Sequence, residues 1–162
     1  MPLTTAALFF ARATHRLSAP EYVEWAASKL DRDFDSPSLR ILAGLDGGSV
    51  SEAEDYFSRA LQELGIAEPD LDAIIREYAC ELCRGIVGGK LETRRAVGIL
   101  NQICIASKYQ QDFRVWIQLD YALANLEKGD YPHALLTTGN FEETVRAEAR
   151  RFLDSFCDKS YT

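Results

Sequence analysis

No stretch of this chain approaches the roughly 20 consecutive apolar residues that cross a bilayer, although 47% of its 162 residues are hydrophobic. A chain without a membrane span is therefore expected. Basic charge is in deficit: 18 Lys and Arg stand against 25 Asp and Glu, a formal net charge of −7. Phosphate affinity is carried by cations that displace counterions, so this balance argues against a nucleic-acid binder and disfavours anionic membrane surfaces. The N-terminal MPLTTAALFFARATHR has no Lys or Arg ahead of its short apolar run Ala6–Ala11. It lacks the pattern of a secretory signal, and a cytoplasmic address is the expectation.

Histidine and cysteine are sparse. His15 and His133 are the only histidines, and neither lies beside a Ser, Cys or carboxylate in a recognised nucleophile arrangement. The four cysteines, Cys80, Cys83, Cys104 and Cys157, all fall in apolar helical patterns. A reduced Cys there behaves as a small buried hydrophobe, and four in a chain of this size do not suggest a disulfide framework. Strand signals are nearly absent too, since no run alternates with period two between hairpin turns. There is no repeat of fixed period, no low-complexity tract and no linker rich in Pro, Gly or Ser, so residues 1–162 read as one domain.

What the sequence does contain is a series of helix boundaries. Ser18–Glu21, Ser51–Glu54 and Asn140–Glu143 each place a capping residue three positions before a Glu, ahead of an apolar run. Gly65, Gly88-Gly89 and Gly129 follow apolar runs as terminators. Further helices are predicted over residues 3–16, from Pro69 to Val87, from Thr93 to Ser107 and from Asp112 to Glu127, with a short helix or turn in PHALLTT at 132–138. The fold class is all-α: a single-domain bundle of about seven to eight helices, with a short helical-repeat array as the alternative.

Motifs with a chemical meaning fail their own requirements. Residues 31–42, DRDFDSPSLRIL, set Asp31, Asp33 and Asp35 at the spacing of a calcium loop, but such a loop needs Gly at its sixth position and Glu at its twelfth. Those positions are Ser36 and Leu42. Ser36 reads instead as an N-cap with Pro37 in the first helical turn, and Leu39, Ile41, Leu42 and Leu45 are expected in the core. CELC at 80–83 falls late in a predicted helix, where the dipole opposes a thiolate, and no second pair completes a zinc site. GIVGGKLE at 85–92 lacks the first Gly and the final Ser or Thr of a phosphate loop. No metal or cofactor is expected, and no catalytic residue is assigned. Asp120, inside VWIQLDYALANL, is the best candidate for a buried or half-buried carboxylate, with a capping or Arg-paired structural role.

The charge is unevenly placed. Residues 51–82 hold nine acids and two bases and so carry the entire net charge of −7. First-turn positions complement helix dipoles and account for part of this. The functional reading is a docking surface for a protein partner with a basic face, formed by Glu52, Glu54, Asp55, Glu63, Asp70 and Asp72, with aromatic anchors drawn from Tyr56, Phe57 and Tyr78, some of which must belong to the core.

Residues 21–46, EYVEWAASKLDRDFDSPSLRILAGLD, resemble a segment of small bacterial all-helical proteins of unknown function, some of them immunity proteins that neutralise toxins. The likeness rests on W-A followed by DSPSLRILAGL. It implies a bacterial cytoplasmic protein encoded beside a toxin, and it carries over no catalytic residue. The leading expectation is thus a non-enzymatic protein–protein interaction module. Its rivals are a small-ligand-binding or enzymatic bundle with a core site around Asp120, Tyr131 and His133, and a structural homodimer.

Overall fold

The structure, a computed structural model, describes residues 3–129, 137 and 139–157. The described residues form eight α-helices and contain no strand, so the chain is all-α as expected. No described helix is long and apolar enough to cross a membrane. Contacts divide the chain into two compact units, residues 1–74 and 75–162. The boundary falls inside a helix, where no change of composition marks it.

The first unit contains α1 (Thr5–Ala13), α2 (Ala19–Leu30), α3 (Pro37–Ala43), α4 (Val50–Glu63) and the first turn of α5 (Leu71–Val87). Its core is built around Phe57 of α4, which has no exposure to solvent. The Phe57 ring lies 4.9 Å from Trp25, 5.2 Å from Tyr22 and 5.9 Å from Phe9, in tilted or edge-on arrangements that aromatic quadrupoles favour. Of the three aromatics weighed as anchors for a partner, Phe57 is one that belongs to the core. The Trp25 indole N–H donates to Thr5 Oγ1 at 3.2 Å, which joins α2 to α1 without stranding a buried donor.

Local chemistry accounts for the ends of these helices. Ser18 N and Oγ both donate to Glu21 at the start of α2, at 2.8 and 2.6 Å. Ser36 Oγ accepts from Leu39 N at 3.2 Å, with Pro37 at the first helical position, so DRDFDSPSLRIL is a helix boundary as expected. Asp35 adds an ion pair to Arg40, Nε to Oδ1 at 2.6 Å. Two details differ from the expectation. Ile41 is 46% exposed, because a seven-residue helix that turns Leu39 and Leu42 inward points Arg40 and Ile41 between them outward. The cap of α4 is Ser49, whose Oγ accepts from Glu52 N at 3.1 Å, two residues ahead of Ser51. That shift leaves Glu54 free of capping.

The second unit contains the rest of α5, then α6 (Thr93–Ala106), a 3₁₀ turn at Gln111–Phe113, α7 (Arg114–Lys128), α8 (Phe141–Phe152) and a π-helical turn at Leu153–Cys157. Helix α6 packs along α7 and also meets α8. Phe113, Trp116, Phe152 and Phe156 form its aromatic cluster, with centroids 4.8–5.7 Å apart. Gly85 makes one close approach possible: a Cβ there would lie 2.5 Å from Leu91 Cδ1. Gly129 ends α7 at φ +72°, a left-handed position that favours glycine. Asn140 caps α8 differently from the expected box, because its Oδ1 accepts from Thr137 N at 2.6 Å. The expected turn in PHALLTT lies almost wholly outside the described residues, as do Tyr131 and His133.

The cysteines require a correction. Cys80 of α5 is bonded to Cys157 at the end of the π turn, with Cα atoms 5.8 Å apart, while Cys83 and Cys104 are free and buried. Four reduced core thiols were expected. The two bonded cysteines are 77 residues apart in sequence, a distance that local patterning cannot bridge. The same turn is held by Arg76, which donates to the Phe156 carbonyl and lies 4.5 Å from the centre of the Phe156 ring.

A cross-link over a loop of that length restricts the unfolded chain by about 4 kcal/mol in the entropy model, and native disulfides typically contribute about 2–4 kcal/mol. Reduction is expected to lower urea-unfolding stability by about 2–4 kcal/mol. Thiol titration of the denatured, unreduced chain should find only Cys83 and Cys104. Reactivity from all four cysteines would contradict the pairing.

Candidate functional site

The first unit carries a cleft of about 550 Å³ with both charged and apolar walls. Its volume lies in the range of ligand-sized pockets. Helix α1 contributes Phe9 and Arg12, α2 contributes Tyr22, and α4 contributes Val50 and Glu54. Glu68, Leu71 and Ile74 close the other side, and His15 and Leu17 come from the turn after α1. That turn is left-handed at His15, φ 54°, where Arg16 N bonds back to Ala11 O at 2.8 Å and ends α1 earlier than expected. A residue other than glycine adopts this conformation at a cost of about 1 kcal/mol, and the chain thereby turns Leu17 onto the cleft wall.

Arg12 organises the interior. Its Nε donates to Glu54 Oε1 at 2.6 Å, and its Nη1 donates to Glu68 Oε2 at 2.8 Å. The guanidinium also lies 5.5 Å from the centre of the Phe57 ring. The Tyr22 hydroxyl donates to the other Glu54 oxygen. Both oxygens of Glu54 are therefore engaged. Burial opposes the charge on Arg12, but the hydrogen bonds it donates to Glu54 and Glu68 outweigh it and hold its pKa above the ordinary value. Burial, and then the Glu54 carboxylate, push the Tyr22 phenol up as well.

The six acids expected to meet a partner divide by this geometry. Glu54 is bound to Arg12 and Tyr22. Glu63 accepts from Ser38 N at 2.9 Å and Ser38 Oγ at 2.7 Å, binding the end of α4 to the start of α3. The Ser38 hydroxyl, with Ser36 next, holds that carboxylate below its usual range. Asp70 caps α5 by accepting from Ala73 N at 2.8 Å. Glu52, Asp55 and Asp72 are exposed and form no ion pair among the described residues. Tyr56 is half-buried beneath Arg59, whose guanidinium is 5.5 Å from the ring centre.

Elsewhere the chemistry is structural. Asp120 of α7 accepts from Arg94 at 2.6 Å and Asn101 at 2.7 Å, which is the Arg-paired role expected of it. Of its proposed companions, Tyr131 and His133 lie outside the described residues. Burial raises the Cys83 and Cys104 thiols, and Cys80 is already bonded, so CELC does not present a reactive dithiol. No group of three or more His, Cys, Asp or Glu suited to a metal ion occurs among the described residues. The missed centre of the site was Arg12. Its signal was a cation set directly in the apolar run ALFFARA, three residues after Phe9 and on the same helix face.

The fold and site define an all-α chain with an ion-paired acidic cleft. No protein-family model, curated protein or solved structure matches the chain.

Arg12→Met removes the cation between two carboxylates and should cost about 1–3 kcal/mol in urea unfolding. The folded chain holds the Tyr22 proton more tightly than the unfolded chain does. The contribution of this group is therefore complete below the ordinary tyrosine value of about 10 and is lost as pH rises beyond it. Tyr78, pushed up to about 12 chiefly by burial, acts in the same direction. Stability should fall above about pH 10, and Tyr22→Phe should reduce the slope. Identical alkaline slopes in the two proteins would remove Tyr22 from the account.

Proposed function

We propose that this chain is a non-enzymatic protein–protein interaction module that docks a basic face of its partner through the acidic segment 51–82. The observation that carries the reading is the segregation of the net charge into that segment, together with Glu52, Asp55 and Asp72 standing exposed and unpaired in the first unit. Concentrated like charge raises the rate of encounter with a complementary surface and fixes its orientation. The likeness of residues 21–46 to bacterial immunity proteins supports one version of this function, neutralisation of a toxin by covering its basic site. In that version Glu54, Glu63 and Asp70 maintain the surface through their internal bonds, and the exposed acids meet the partner.

The triple variant Glu52→Lys, Asp55→Lys and Asp72→Lys tests the reading, since exposed substitutions away from the Arg12 network should change stability by no more than about 0.5 kcal/mol each. A partner captured by the wild-type chain and then purified should associate about tenfold more slowly with the variant at low salt. The difference should shrink as salt is added. Equal association rates and equal salt dependence would place the docking surface elsewhere.

A further inference from the structure

The cleft beside this acidic surface has an open charge and an open apolar rim. Glu68 offers one oxygen to Arg12, and its carboxylate is 49% exposed. Its second oxygen has no hydrogen-bond partner among the described residues. Two carboxylates against one guanidinium leave the cleft with an excess negative charge. At the mouth, Val50 is 49% exposed and Leu71 44% exposed, and with Leu17 they form an apolar wall running towards the carboxylates.

We infer that this cleft seats one lysine side chain of the basic partner, an inference that rests on the docking reading above. An ammonium group would neutralise the excess charge at Glu68, and its four-carbon stem would cover Leu17, Val50 and Leu71, which are otherwise wet. An incoming carboxylate would have to expel Glu68 from Arg12 and would add to the negative charge. Lysine suits the geometry better than arginine does. A single open carboxylate oxygen matches a compact cation with rotatable donors, whereas a guanidinium fork requires two parallel acceptors, and Glu54 has none to spare.

The probe is the peptide acetyl-Gly-Lys-Gly-amide at millimolar concentration, added to the ¹⁵N-labelled full chain and followed by amide chemical shifts. The norleucine peptide, which keeps the stem and lacks the charge, is the control. Saturable shifts at Leu17, Val50 and Leu71 are expected, about tenfold weaker with norleucine and about three- to fivefold weaker in Glu68→Gln. They should persist in the triple lysine variant of Glu52, Asp55 and Asp72. Equal binding of both peptides, indifference to Glu68→Gln, or absence of shifts in the cleft would each overturn the lysine seat. If partner association still depended on Glu52, Asp55 and Asp72, the docking reading would survive that result; if it did not, both would fall.

Discussion

The interaction on which the first unit depends is the bond between Arg12 and Glu54. A guanidinium set against Phe57 loses part of its hydration, and carboxylates offset that cost. Glu54 supplies that compensation and takes the Tyr22 proton donor on its other oxygen, so one carboxylate ties α1, α2 and α4 together. The aromatic packing of Phe57 against Phe9, Tyr22 and Trp25 brings the same three helices together. Polar and apolar terms therefore specify one arrangement, and the cleft is the surface consequence of it.

This has an effect on how the acidic segment works. A stretch with nine acids would repel itself if all were free. Instead the structure binds Glu54 and Glu68 to Arg12, Glu63 to the start of α3 and Asp70 to the start of α5. The remaining exposed acids are displayed on helices whose positions those bonds hold. Acids of the same chemical type are thus divided by location alone into those bonded within the fold and those left exposed.

In the second unit, the comparable constraint is covalent. The Cys80–Cys157 bond, the Arg76 contact to Phe156 and the cluster of Phe113, Phe152 and Phe156 all act on the turn that follows α8. After α8 the backbone changes to a π-helical turn at Leu153, where the disulfide partner has to be met.

The sequence by itself determined the helical class and the ends of most helices: Ser18 with Glu21, Ser36 with Pro37, and the left-handed glycines at 65 and 129 act within about four residues of where they stand. A structural role for Asp120 was also legible, as an isolated carboxylate in an apolar run, although its partners Arg94 and Asn101 were not. Only the tertiary structure decided which equivalent groups meet. Glu54 finds Arg12 across 42 residues, Glu63 finds Ser38 across 25, and Cys80 finds Cys157 across 77. No local signal separates Glu54 from Asp55 or Cys80 from Cys83. Packing selects among them, since only one of each pair faces a partner once the helices have buried their apolar sides.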